Sequence, residues 1–128
     1  MKKRFKLAKG ARGVDAIAIS TDGTLVALVD RHDQHNVYVF DTDSGAGRSQ
    51  PGDSNKVFDI CFSAAPGDNN FVAVGAKTIK FWDPVSLTGK KGIFGTNGEM
   101  TSFACCAYDD KGVAYAGGSN SSIYVWNG

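Results

Sequence analysis

His32 and His35 stand at His-x-x-His spacing in "DRHDQH", beside Asp30 and Asp33. That spacing is the chain's nearest approach to a metal site. A transition metal needs three or four suitable ligands, each held by a hydrogen-bonded support behind it. No cysteine stands nearby, and the stretch reads as a solvated polar loop between strands. "DTDSG" (41–45) starts like a calcium loop, but its twelfth position is Gly52 where a bidentate Glu is required. Asp, Ser and Gly there read as a turn closing a strand. Cys105 and Cys106 are adjacent in an apolar run, so strand alternation sends them to opposite faces. A catalytic thiol needs a base and an electropositive setting. Neither is visible, and core packing is the expectation. With Cys61 they make an odd count within apolar runs, which reads as reduced core thiols of a cytosolic protein.

"GAGRSQ" (45–50) lacks the Gly-Lys-Ser/Thr ending of a phosphate loop and opens no helix. No Gly-x-Ser-x-Gly elbow occurs. Asn120-Ser121-Ser122 matches the glycosylation triplet but falls in a tight turn. Asp15 and Asp59 sit early in two similar strands, where a hydrolase built around a central channel would place carboxylates. The third such strand has Phe103 or Ala104 there, so the set is incomplete. The expectation is therefore no enzyme, with no catalytic residue, cofactor or metal.

The elements that must position any site repeat. "NVYVFD" (36–41), "TIKFWD" (78–83) and "SIYVWN" (122–127) share one ending, and their aromatics Phe40, Trp82 and Trp126 stand 42 and 44 residues apart. A period in the low forties marks an array. Upstream lie "VDAIAIS" and "TLVALVD" in the first unit, "VFDICFS" and "FVAVGA" in the second, "SFACCAY" and "VAYAGG" in the third. Asp/Gly/Asn/Pro turns separate these short apolar or alternating runs, and no helical periodicity is sustained. A weaker fourth strand is expected at "RFKLA" (4–8), "GRSQP" (47–51) and "KKGIFG" (90–95). Four strands per unit of this length make a β-propeller blade. The expected fold is all-β: three four-stranded antiparallel blades, an incomplete propeller over residues 1–128, with repeat units at about 4–41, 47–83 and 90–127. The pentad is expected as the third strand of each blade, its aromatic packed between blades and its Asp or Asn opening a turn.

The Trp-Asp ending and the period resemble the WD-repeat family. The blades are atypical: no Gly-His pair precedes an inner strand, and the Asp expected three residues before each third strand is replaced by Gln34, Ala76 and Asn120. A broader resemblance is to the echinoderm microtubule-associated-protein-like family, in the later blades of its first propeller. It is carried by "RGVDAIAIS" (12–20), "VDRHDQHNVYVFD" (29–41), "GAKTIKFWD" (75–83), "KKGIFG" (90–95) and "GGSNSSIYVWN" (117–127). The resemblance implies a propeller scaffold for protein partners, tubulin or microtubules among them, in the cytoplasm and at the cytoskeleton. The alternative is a signalling or ciliary adaptor without microtubule contact.

Composition fits. Hydrophobic residues are 42%, charged residues 21%, and glycines number 16, a turn-rich globular profile. Formal net charge is +1, so the whole chain exerts no strong pull on nucleic acid or membrane. No run approaches the ~20 apolar residues that span a bilayer. Repeat folds bind through loops. The candidate partner-binding residues are Arg31, His32, Asp33, Gln34 and His35, with Lys90 and Lys91 placed to meet an acidic partner. Three blades cannot close a ring, so self-association through open blade faces is also expected.

Overall fold

The computed structural model describes residues 4–7, 9–94 and 100–127. Strands β1 (Val14–Ile19), β2 (Leu25–Asp30), β3 (Val37–Asp41) and β4 (Gly47–Gln50) form one antiparallel sheet in chain order. β5 (Val57–Phe62), β6 (Phe71–Gly75), β7 (Thr78–Asp83) and β8 (Thr88–Lys91) form the second. β9 (Phe103–Tyr108), β10 (Val113–Gly118) and β11 (Ile123–Asn127) form the third, which has three strands among the described residues rather than the expected four. No helix occurs among the described residues. Each pentad is the third strand of its sheet, as the repeat predicts.

The turns follow from their residues. Asp41 Oδ1 accepts the N–H groups of Asp43 and Ser44, and Asp83 Oδ1 accepts those of Val85 and Ser86. The pentad's final Asp therefore turns the chain from third to fourth strand. At the first hairpin, Asp22 Oδ1 accepts the hydroxyls of Ser20 and Thr24 and the Thr24 N–H. These bonds, the Ser20 hydroxyl first, hold the exposed Asp22 carboxyl down to about 2 from 3.8. A carboxyl lowered by folding stabilises above its unfolded pKa, and the contribution is lost as pH falls through the folded one. Asp22→Asn is therefore expected to denature at lower urea than the wild type at neutral pH. The gap between midpoints should close as pH falls from 3.8 to about 2. A gap independent of pH would mean that the ionised carboxylate does not hold this turn.

The sheets stack face to face, so the inner strand β6 of the middle sheet buries both faces. Ala16, Ala27, Val29, Val37 and Val39 of the first blade pack against Val57, Ile60, Phe62, Phe71, Ala73 and Trp82 of the second. On the second blade's other face, Val72, Val74 and Ile79 meet Phe103 and Ala116 of the third. Trp126 and Tyr124 pack there too, in a ring cluster with Phe94. Trp82 is buried between the first and second blades and Trp126 partly so between the second and third, whereas Phe40, expected between blades, is buried on the first blade's other face under Phe5 and Leu7.

The weak fourth strands differ from expectation in three respects. β4 and β8 pair with the third strand before them, so a repeat read from the weak strand straddles two sheets. β8 lies at Thr88–Lys91, earlier than 90–95. Gly92 still donates to Ile79 O, but Phe94 has already crossed to the third blade; residue 95 is outside the described residues. "RFKLA" forms no strand over residues 4–7, and residue 8 is not described. Phe5 instead stacks on Phe40, ring centroids 4.9 Å apart, and Leu7 packs beside it.

Candidate functional site

Antiparallel order places all first-to-second and third-to-fourth turns at one end of the blades and the second-to-third loops at the other. The first-blade loop over residues 31–36 is built on a carboxylate. Asp30 is fully buried; its Oδ1 accepts Asn36 N–H, and its Oδ2 accepts the Asn36 amide and the Tyr38 hydroxyl. A buried charge is tolerable when its lone pairs are filled in this way. Asp30 looked like a solvated turn residue, yet it sets the loop's base.

Within the loop, His32 Nδ1 accepts Gln34 N–H and His32 O accepts His35 N–H. His35 takes a left-handed φ of 44° to close it. Arg31 Nε donates to the sheltered Asp15 carboxylate at 3.0 Å. Arg12 reaches Asp33 at 3.1 Å, an exposed pair of the kind contributing ~0–1 kcal/mol. Arg12 N–H also donates to Arg31 O, laying residues 9–13 beside the loop. Among the described residues no group of three metal-ligating side chains comes together.

The loop joins the second blade through residues 52–53. Gly52 N–H donates to Gln34 O. Asp53 accepts the Thr78 hydroxyl and lies 3.7 Å from the Lys80 ammonium. Burial alone would raise the Asp53 pKa, but the Thr78 hydroxyl, the Asn55 N–H and the charges of Lys80 and Lys91 outweigh it and leave it lowered. Lys91 thus belongs with the loop. Lys90 does not: it points to the other face of β8, into a cleft of about 320 Å³ against Tyr108 and Gly112 of the third blade. The two lysines, neighbours in sequence, serve opposite sides of one strand. Lys80, Asp53 and Thr78 carried no local signal; only the fold brings them to the loop.

Loop placement segregates charge. At the loop end lie Lys9, Arg12, Arg31, Lys56, Lys77 and Lys91, with Asp15, Asp30, Asp33 and Asp53 among them. The opposite turns carry Asp22, Asp41, Asp43, Asp68, Asp83, Asp109 and Asp110 against Lys111 and Arg48, which donates to Pro84 O there. A net charge near zero conceals this polarity.

Asp15 and Asp59 do not form an equivalent pair. β1 has a bulge between Val14 and Ala16, and β5 has one between Val57 and Asp59. The register matches Asp59 to Ala16 and Asp15 to Phe58, on opposite faces. The bulge stands at the same place in both strands, so the two carboxylates differ by their one-residue offset and not by the bulge. Asp59 Oδ2 instead accepts Cys106 N–H at 3.0 Å, tying the second blade to the third. Burial and the Asp59 charge push the Cys106 thiol well above its ordinary range, the reverse of an activated nucleophile. Cys105, expected in the core, is exposed on the third blade's open face.

No protein-family model matches the chain. Over 99% of its length it is 40% identical to the ciliary WD repeat-containing protein ctxp80 of Euplotoides octocarinatus, of which it spans 18%. Its fold superposes on the structure of U3-55K with a TM-score of 0.77 at 14% identity, covering 96% of this chain and 38% of that one. The WD40 repeats of RRP9 superpose at 0.65 with 18% identity, over 90% and 37%. Sheet order, register, pentads and these superpositions agree: the chain has the fold of three consecutive blades of a WD-repeat β-propeller.

Proposed function

We propose that this chain is a non-enzymatic protein-interaction module of a microtubule-associated propeller scaffold, working at the cytoskeleton in the cytoplasm. Its contact surface is the end that carries Arg31, His32, Asp33, Gln34, His35 and Lys91. The observation that carries this reading is the charge segregation: six cations, against four carboxylates, lie at the end of the blades whose first loop a buried Asp30 holds in place. A pre-formed cationic rim suits an acidic partner, because complementary potentials speed and orient encounter. The acidic C-terminal tails of tubulin are such a partner, and the resemblance to the echinoderm microtubule-associated-protein-like family supports that choice. Lys90 is assigned to the inter-blade cleft and not to the rim.

The test is co-sedimentation with stabilised microtubules, read against the same chain spun alone. The wild type is expected to pellet with microtubules and to release as salt rises, since exposed charges are screened over ~8–10 Å at physiological salt. Arg31→Glu with Lys91→Glu should abolish pelleting, whereas Asp109→Lys at the opposite end should leave it intact. Equal pelleting by all three chains would remove the rim from the account. The name of the Euplotoides relative, a ciliary WD-repeat protein, favours a second reading, a ciliary adaptor without microtubule contact. Wild-type chain left wholly in the supernatant would select it.

A further inference from the structure

We propose that the cleft between the first and second blades, at their acidic end, docks a partner segment that carries an aliphatic side chain between lysines or arginines. Both walls belong to four-stranded blades. Leu25, Val39, Ala46 and Gly47 of the first face Pro84 and Val85 of the second across about 410 Å3. That volume falls within the ~300–1,000 Å3 of ligand clefts. Val85 projects at the mouth, 78% exposed.

The corresponding cleft between the second and third blades shows what is particular to this one. Register matches Leu25 to Asn70, Val39 to Phe81, Ala46 to Thr88 and Arg48 to Lys90. The second cleft therefore has a bulky ring and two polar side chains where the first has Val39, Ala46 and Leu25. The first is left wide and mainly apolar. Arg48, the cation on its lining, is already engaged, donating across the cleft to Pro84 O. The rim is anionic. Asp41 lines the cleft on one wall, and Asn69 on the other hydrogen-bonds the Asp22 carboxylate, which Ser20 and Thr24 hold in place. Asp43 and Asp83 stand at the turns on either side. An apolar floor takes an aliphatic side chain, and carboxylates around it favour basic neighbours and repel acidic ones. This surface lies at the opposite end of the blades from Arg31 and Lys91, so it serves a partner of the opposite charge from the one assigned to the cationic end.

The test is amide NMR of the isotope-labelled chain with a library of end-blocked hexapeptides, each with leucine, isoleucine or valine at its centre and lysine or arginine on both sides. Members of the library are expected to shift the amides of Ala46, Asn69 and Val85 and to leave residues 31–36 unmoved. Exchanging the flanking residues for glutamate, or the central residue for glycine, should each weaken binding at least tenfold. Val85→Lys, which puts a cation at the mouth, and Ala46→Trp, which fills the floor, should do the same. Both positions are exposed, and dispersed amide spectra check that the variants fold. Asp110→Lys, exposed at the same end but on the third blade, should bind as the wild type does. Equal binding by the glycine-centred peptides, or equal loss in Asp110→Lys, would reduce the contact to general acidity. Shifts at the three amides that grow with the chain's own concentration would make a second copy the occupant. No shift from any member of the library would leave the cleft without a partner of this kind. Each of these results overturns the proposal.

Discussion

Trp82→Ala is expected to lower stability by about 3–5 kcal/mol, the usual cost of deleting a buried aromatic. Trp82 stacks on Phe71 with ring centroids 6.3 Å apart and belongs to the cluster that joins the first two blades. Its ring lies against Gly89, where an added Cβ would sit 2.9 Å from the indole. β8 therefore lies tight against this side chain, and removing the indole leaves a cavity beneath it. Domains of this size have ~5–15 kcal/mol in all, so the loss is a large fraction. The indole N–H is buried without an acceptor among the described residues. Trp82→Phe keeps much of the stack and removes an uncompensated donor, so it should cost well under half as much. Urea denaturation followed by circular dichroism measures both. A midpoint unchanged in Trp82→Ala would contradict the inter-blade placement.

Asp30→Ala should be the costliest change near the candidate surface, at about 2–3 kcal/mol. It strips acceptors from the Asn36 N–H, the Asn36 amide and the Tyr38 hydroxyl, all at the base of the loop. Leaving partly buried donors unsatisfied costs more than the bonds themselves contribute. The change should also loosen residues 31–36, and amide exchange there should rise more than in β5–β7. Asp30→Asn keeps one acceptor oxygen and should fall between wild type and alanine. Equal stability of Asp30→Ala and wild type would show that the carboxylate is a bystander.

The blade count and pentad role were legible because inter-blade stacking buries alternate residues on opposite sides. Ile79 and Phe81 face the third blade while Trp82 faces the first, so the strand is apolar in both parities and its aromatic recurs with the period. "RFKLA" shows what alternation leaves open. Phe5 and Leu7 do point together onto the first blade, as a strand pattern requires. Alternation specifies which side chains share a face, but not whether a neighbouring strand exists to take the backbone bonds. The supposed Asp15–Asp59 pair failed because Asp is the second residue of β1 and the third of β5, a one-residue offset that the shared bulge leaves unchanged and that sends the two carboxylates different ways. Lys90 and Lys91 read as a cluster in sequence and are divided by the pleat. The joining of Gln34 to Gly52 and of Asp53 to Thr78 and Lys80 depends on bringing two blades together, which local sequence does not encode.

If the cationic end of the blades is the surface that meets a partner, a bound microtubule must shield that end and leave the other open. Hydrogen exchange of the chain with and without microtubules tests this most directly, because it reports position without any substitution. Protection is expected to be confined to residues 9–13, 31–36, 51–56 and the loop end of β8, with the turns at 20–24, 63–70 and 109–112 unchanged. Protection at those acidic turns, with residues 31–36 exchanging as in the free chain, would contradict it.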